Sequence, residues 1–407
     1  MVGPLVQVFQ RSALRHRSFR MLWIATLLSS TARWADLVVV GWLTLELTDS
    51  ALMVGIVTAC KMAGIVLSPL MGVAVDRMDR RKLLMLASVV SGLNSALMLA
   101  LLLTGQLTVT YLVTISLVSS LIWALDNPTR AAFVPDLVEP EDLNNAIATN
   151  SVATEITVIA GPALGGLLIP IFGMSGAYCL ITIIYCLDLF VLSQLKGVKQ
   201  SAPQLDESPI QSLLSGFRYA WGNHAVLFPL LIALMLNLLV APYRYSFLPL
   251  FARYILDAGP EGYGFLTSMA GCGALVTGLW MVSQKRLGRR GHLLLIGGLL
   301  WPATLFLFAL STSYYLSLIL VFLAGLAQAI CWTMIATLIL SNTAQSMRGR
   351  VMGLRTGVVI SLPFGNLLAG AAAQSWGPSI AMGAYTATAV LLMTLIFILA
   401  PKLRKLE

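Results

Sequence analysis

Ionisable residues inside long apolar segments are the first candidates for chemistry in this sequence. Arg33 and Asp36 stand three residues apart in one apolar run, and Glu155 stands in another. Residues three apart share a helix face. If these runs cross a membrane, a central charge costs about 2.5–3.5 kcal/mol on insertion scales, so such residues are expected to face a cavity or a partner.

These three residues are candidates for proton coupling. Burial favours the neutral form of Asp36 while Arg33 favours the carboxylate, and a reversible protonation site requires such opposing influences. The alternative is a mutually neutralised pair that only fixes helix packing. Glu155 has no cation nearby in its own run, so it is the second proton candidate, with a permanently neutral, packed acid as the alternative. For Asp188 we expect a snorkelling or hydrogen-bonding role.

The composition places these residues in an integral membrane protein. Of 407 residues, 58% are hydrophobic and 11% charged, against about a quarter charged in soluble domains. Twelve apolar runs of about 20 residues are separated by short polar breaks, which indicates spanning helices rather than a barrel. The predicted spans cover about 19–46, 51–75, 83–104, 110–125, 143–169, 175–195, 225–248, 263–284, 293–311, 314–340, 350–375 and 380–400.

The net charge of +9 follows from membrane topology. With the N-terminus inside, 22 of the 26 Lys and Arg residues fall on the cytoplasmic side, all but Arg33, Lys61, Arg244 and Arg253. This is the positive-inside pattern, and it predicts both termini in the cytoplasm and no nucleic-acid partner. We expect no removable signal peptide.

The sequence contains none of the patterns that would indicate an enzyme or an ATP-driven pump. It has no phosphate-binding loop, no HExxH and no Gly-x-Ser-x-Gly. Five cysteines lie inside apolar runs without CxxC spacing, so neither disulfides nor a metal site are expected. We therefore expect no enzymatic activity and no cofactor.

A charged loop between the second and third predicted spans carries a family resemblance. Gly72, Asp76, Arg77, Arg80 and Arg81 are spaced as in Gly-x-x-x-Asp-Arg-x-x-Arg-Arg, the signature of the major facilitator superfamily, which this loop resembles. The resemblance implies that Asp76 lies at the N-terminus of span 11 and forms a cytoplasmic gate, a contact of roughly 0.3–1 kcal/mol. A solvated turn would explain the arginines but not the glycine.

A second basic loop, 285–290, falls where a repeat of this motif is expected. Two halves with corresponding loops predict an all-α major facilitator fold, with 12 transmembrane helices in two pseudo-symmetric six-helix bundles and a substrate path between them. We expect an N-terminal bundle (1–195), a cytoplasmic linker with an interfacial amphipathic helix (196–222) and a C-terminal bundle (223–407).

Two further motifs resemble parts of the superfamily. Segments 126–130, 135–138, 209–219 and 348–353 look like the branch that contains enterobactin (siderophore) exporters and macrolide efflux proteins. In span 5, a run partly matches a motif of drug exporters, although close packing of small residues explains it equally well; its residues are Gly161, Pro162, Gly165 and Gly166.

The resemblance implies an alternating-access, proton-coupled antiporter in a bacterial inner membrane, monomeric, that exports amphipathic small molecules such as drugs or siderophores. A lysophospholipid transporter of the same fold is one alternative. A non-transporting sensor or scaffold, expected to carry an extra soluble domain, is another. The candidate cavity residues, each with packing as the alternative role, are Trp34, Asn237, Tyr243, Arg244, Gln328 and Trp332.

Overall fold

A computed structural model describes residues 13–68, 71, 75, 78–195, 209–284 and 288–399, and the elements in these ranges are helical. We number the α-helices in chain order. They are α1 (Arg17–Thr48), α2 (Ala51–Ala63), α3 (Arg80–Leu103), α4 (Val109–Phe133), α5 (Leu143–Ser193), α6 (Pro209–Gly222), α7 (His224–Leu239), α8 (Leu248–Tyr254), α9 (Gly259–Ser283), α10 (Arg290–Ala309), α11 (Tyr314–Ser341), α12 (Arg348–Val358), α13 (Ser361–Trp376) and α14 (Pro378–Leu399).

The described ranges contain ten helical segments that are long and apolar enough to cross a membrane, and one shorter apolar segment, Ala51–Leu67. The longest, Pro140–Ser193, has 54 residues. It breaks at Gly173, whose backbone (φ 69°, ψ 178°) is not helical. The prediction of an all-helical membrane protein is confirmed, and predicted spans 5 and 6 are two helices that meet at this glycine.

Three predicted spans contain interruptions. In the second, α2 ends at Ala63 and a tight turn, Gly64–Leu67, follows. In the seventh, a wide π-type turn, Tyr243–Phe247, separates α7 from α8 and follows Pro242. In the eleventh, α12 ends at Val358 and α13 starts at Ser361. Wide and tight turns inside helices change the direction of side chains at fixed points, often at functional sites.

The fourth span is longer than predicted. We expected residues 126–138 to form a turn-rich inner loop, but α4 continues through Asp126 and Arg130 to Phe133. Pro128 lies inside this helix, where its ring removes one backbone donor. The Thr129 hydroxyl donates to the Leu125 carbonyl at 2.6 Å, and Asp126 and Arg130 pair across one turn. These side-chain contacts stabilise the helix despite its loop-like composition.

Inter-residue contacts divide the chain into two compact units. Unit 1 contains Met1–Val40 and Ala63–Leu205, and unit 2 contains Gly41–Met62 and Asp206–Glu407. One hydrophobic core of unit 1 lies among α1, α3, α4 and α5 and includes Phe19, Leu22, Leu84, Phe133 and Leu192.

In unit 2, α11 packs against both α9 and α10, and α10 packs against α14. The rings of Phe251 and Phe308 lie 4.7 Å apart in this unit.

Several sequence predictions fall on residues outside the described ranges. These are Gly72, Asp76 and Arg77 of the charged loop, Lys285 and Arg286 of its second copy, and residues 196–208 of the linker. The amphipathic helix expected in the linker is α6, and its apolar residues Leu214, Phe217 and Trp221 are exposed.

Candidate functional site

Unit 1 holds a group of charged residues that is buried at its centre and partly exposed at its edge, which we call the charge cluster: Arg33, Asp36, Asp126, Arg130 and Asp188. Its centre is the Asp126–Arg130 pair on α4. Arg130 Nε donates to both oxygens of Asp126, at 2.9 and 3.0 Å. Both residues are buried, with 6% and 5% of their surface exposed. The four-residue spacing puts them on one helix face, so the pair is formed within α4 itself.

Asp188 completes the centre of the cluster from α5. It is fully buried, and its Oδ2 accepts from Arg130 Nη2 at 3.4 Å and from the Ser88 hydroxyl of α3. Within the part of the chain that the structure describes, its Oδ1 has no hydrogen-bond partner. The hydrogen-bonding role expected for Asp188 is therefore present, and the snorkelling role is wrong because the carboxyl points into the helix bundle.

Helix α1 contributes the edge of the cluster. Arg33 Nη2 donates to Asp126 Oδ2 at 3.3 Å, and the side chain keeps 27% of its surface exposed. Asp36, one turn further along α1, accepts from the Tyr178 hydroxyl of α5 at 2.9 Å. The two proton-coupling candidates on α1 therefore join a network that spans α1, α4 and α5.

Glycines hold α1 against α5 beside this network. A Cβ on Gly161 would lie 2.4 Å from Trp34 Cβ, and one on Gly165 would lie 2.5 Å from the Ala35 oxygen. Neither approach leaves room for a side chain, so the glycines of the span 5 motif make a close helix contact, the packing role that we considered for them. Pro162 and Gly166 are buried at the same place.

Two sequence candidates in unit 1 lie outside the core of the cluster. Trp34 packs its Cβ against Gly161 and is partly buried. Glu155 lies on the first half of α5 and is exposed.

Unit 2 brings three predicted cavity residues together around one tryptophan. The Tyr243 hydroxyl donates to Gln328 Oε1 at 3.3 Å. The rings of Tyr243 and Trp332 contact Trp301 edge to face, at 6.4 and 6.1 Å between centroids. Trp301 is fully buried, and sequence reasoning did not select it. Trp301 is one apolar residue among others in its span, whereas Tyr243 and Gln328 stand out because they carry polar groups.

The other two candidates of unit 2 lie at or near the interruptions between helices. Arg244 is in the wide turn after α7 and is 7% exposed, and it lies within electrostatic reach of Tyr245 and Tyr263. Asn237 is buried in α7, and its Nδ2 donates to the Val358 carbonyl at 3.5 Å, at the end of α12.

The described residues of the charged loop belong to unit 1 and contact other residues of the same unit. Asp79 accepts from the Lys82 backbone N–H at 3.1 Å and caps α3. Arg80 donates to the Ala132 carbonyl at 3.0 Å and pairs with Asp136. Arg81 donates to the Ser193 carbonyl at 2.6 Å.

Buried charges within apolar helices are typical of membrane transporters, and comparison with known proteins agrees with this interpretation. The model of a family described as "Transmembrane secretion effector", MFS_3, matches residues 10–407. The chain belongs to this family. The family is one of membrane transporters of the major facilitator type rather than of enzymes, so this chain is a transporter, and its resemblance to the superfamily is confirmed.

Individual relatives and solved structures are also similar to this chain. It is 28% identical over 320 residues to proteins named Enterobactin exporter EntS from Escherichia coli O81 (strain ED1a) and Shigella dysenteriae serotype 1 (strain Sd197), covering 77% of this chain and 72% of theirs. Among solved structures, a peptide transporter POT in complex with sulfate matches with a TM-score of 0.77 at 11% identity, covering 96% of both chains. A bacterial homolog of the human lysosomal transporter Spinster matches with 0.71 at 13% identity, again over 96% of both chains. These structures establish the shared fold.

Proposed function

We propose that this secretion effector is a proton-coupled exporter that expels amphipathic small molecules, such as drugs or siderophores, by alternating access. The observation that carries the proposal is the charge cluster. Carboxyl groups buried inside spanning helices are costly, and in transporters they mark proton or ion pathways. The names of the two curated relatives described above, both exporters, support the outward direction.

In this proposal Asp36 exchanges the proton, with Arg33 as the cation that favours its ionised form. Arg33 stands three residues before Asp36 on α1, which supports this pairing, and its guanidinium also donates to Asp126. Tyr178 holds Asp36 in position by its hydrogen bond. Glu155 is a second site of proton exchange on α5.

The proposed substrate contacts combine aromatic faces with a few polar groups, as small-molecule sites usually do. Edge-to-face aromatic contacts around Trp301 and the hydroxyl–amide bond of Tyr243 with Gln328 support this assignment. The residues are Trp34, Asn237, Tyr243, Arg244, Gln328 and Trp332.

The proposed architecture has twelve spans. Ten candidate segments, the shorter Ala51–Leu67 and the break at Gly173 support this number. We further propose two six-helix bundles, 1–195 and 223–407, joined by the linker 196–222, a monomer in the inner membrane and both termini in the cytoplasm. The charged loop would gate the cytoplasmic side, with Gly72, Asp76, Arg77, Arg80 and Arg81 as its residues.

Contacts of the segment Gly41–Met62 within unit 2 support an outer latch. Glycines of α2 and α13 meet closely, since a Cβ on Gly370 would lie 2.7 Å from the Gly55 Cα. Beside them, Arg253 pairs with Asp49 at 3.2 Å. With the N-terminus inside, these residues belong to the outer half of the membrane. We propose that this latch must open when substrate leaves.

Transport in proteoliposomes with an imposed pH gradient tests the function. Ethidium, enterobactin and lysophosphatidylcholine serve as three probes of different chemistry, with Asp36→Asn, Glu155→Gln and the double variant as test proteins. We expect proton-driven movement of ethidium or enterobactin, lost in the double variant. Undiminished coupling in the double variant refutes the assignment of these acids. Movement of lysophosphatidylcholine alone identifies a lipid transporter instead.

A further inference from the structure

The charge cluster contains more carboxyl groups than the proposed mechanism uses. Asp126 and Asp188 both pair with Arg130, which among the described residues is the one cation that pairs with them both. A buried ion is stable only when opposite charge and hydrogen bonds replace the water that it has lost. The contacts of the two carboxyls therefore decide which of them carries a charge.

Asp126 is well compensated. Each of its oxygens accepts from Arg130 Nε, and its Oδ2 also accepts from Arg33 at 3.3 Å. Charge-assisted contacts of this kind favour the carboxylate. Asp126 is thus the ionised member of the pair.

Asp188 is poorly compensated. Its one guanidinium contact is longer, at 3.4 Å from Arg130 Nη2, and the second donor to its Oδ2 is the neutral Ser88 hydroxyl. Its Oδ1 is buried with no hydrogen-bond partner in the described residues. An oxygen in that position costs less free energy in a neutral acid than in a carboxylate.

The remaining polar groups near Asp188 do not change this balance. On its own helix, α5, Tyr185 lies one turn earlier and within electrostatic reach of Asp188, and Tyr178 donates to Asp36. From α1, Thr26 accepts from Arg130 at 3.5 Å, Arg33 donates to Asp126, and Asp36 accepts from Tyr178. The cation nearest to Asp188 is therefore Arg130, and Asp126 holds it more closely.

We propose that Asp188 carries a proton in this conformation and is a proton-exchange site in addition to Asp36 and Glu155, with Arg130 as the switch. When the site opens to water, the O–H bond of the acid breaks and the proton leaves to water. The guanidinium of Arg130 then moves toward the new carboxylate, while Asp126 keeps its contact with Arg33. This inference rests on the proposed proton-coupled export and names a carboxyl that sequence reasoning did not select for it.

Infrared spectroscopy of the purified protein tests the protonation state without a substrate. We expect the carbonyl band of a protonated, buried carboxylic acid at neutral pH. The contribution of Asp188 to this band should vanish in Asp188→Asn, and also in Asp126→Asn, because Arg130 then pairs with Asp188 and ionises it. Asp49→Asn, an exposed acid of unit 2, is the matched control and should keep the band. If the band of either cluster variant is the same as that of the wild type, the proposal is overturned.

A labelling experiment on the unmodified chain covers the case of a variant that does not fold. Dicyclohexylcarbodiimide reacts with protonated carboxyls in apolar surroundings, and mass spectrometry locates the adduct. We expect labelling at Asp188 and none at Asp126. Labelling of Asp126 without Asp188 overturns the assignment.

Transport separates the failure of this inference from the failure of the proposed function. We expect Asp188→Asn to lose pH-gradient-driven movement of ethidium or enterobactin while it still equilibrates the same probe down its own concentration gradient. If the wild type moves neither probe under a pH gradient, the proposed function fails and the infrared result still decides the state of Asp188. If the wild type is proton-driven and Asp188→Asn is equally so, the inference fails alone.

Discussion

A single methyl group at Gly165 is expected to disturb both the packing and the chemistry of unit 1. The added Cβ of Gly165→Ala would lie 2.5 Å from the Ala35 oxygen and 2.9 Å from the Ala35 Cα. Ordinary contact begins at 3.4 Å, so α1 and α5 must separate by about 0.9 Å at this point. Both contacts are to the backbone of α1, which cannot rotate away.

Two known effects determine the expected change in the free energy of unfolding. Overpacking a tight contact destabilises by about 1–3 kcal/mol, and helix propensity returns at most about 1 kcal/mol on replacing glycine by alanine. Ala35 lies directly before Asp36, whose bond with Tyr178 measures 2.9 Å. A shift of about 0.9 Å is enough to break it if α1 moves away from the second half of α5. We therefore expect lower stability together with weaker proton coupling.

Thermal unfolding of the purified protein in detergent and pH-gradient-driven ethidium transport measure the two effects. Gly383→Ala is the matched control, because an added Cβ there meets nothing within 4 Å and the residue lies inside α14. The control should be at least as stable as the wild type. If Gly165→Ala unfolds at the same temperature as the control, the close approach of α1 and α5 does not exist as described.

Three further changes probe other contacts. Gly370→Ala puts a Cβ 2.7 Å from the Gly55 Cα, so we expect the outer latch to weaken, measured as faster labelling of a cysteine that replaces the buried Ala51 beside this contact; unchanged labelling refutes the latch. Asp79→Ala removes the cap of α3 and should cost about 0.5–2 kcal/mol of stability in thermal unfolding, with no loss if the cap is unimportant. Arg80→Gln leaves Asp136 buried without its cation, and should cost about 3–5 kcal/mol, which Asp136→Asn in the same chain should largely restore.

The membrane architecture could be predicted from sequence because apolar length is a local property. Runs of about 20 apolar residues give spanning helices whatever surrounds them. The breaks inside spans 2, 7 and 11 were not predicted, since Gly64 and Val358 have no strong turn signal. Even Pro242 marks a break without fixing its geometry.

The candidate site was predicted in part. Arg33 and Asp36 stand out because charge is rare in an apolar run, and they do join the charge cluster. Asp126 and Arg130 were assigned to a loop because Asp, Asn, Pro and Thr together are typical of turns. Their partner Asp188 lies 58 residues beyond Arg130, and no local pattern connects them. The signal that could have found them is the four-residue spacing of Asp126 and Arg130, which puts opposite charges on one helix face if span 4 continues through them.

At Gly173, as at Gly383, nothing lies within 4 Å of the missing Cβ. The constraint there is one of handedness rather than of size. Its dihedral angles, φ 69° and ψ 178°, fall in a region that L-amino acids avoid and that their mirror images adopt readily. A D-alanine introduced by chemical ligation should therefore preserve the corner between the two helices of α5, whereas L-alanine, the same size, should strain it.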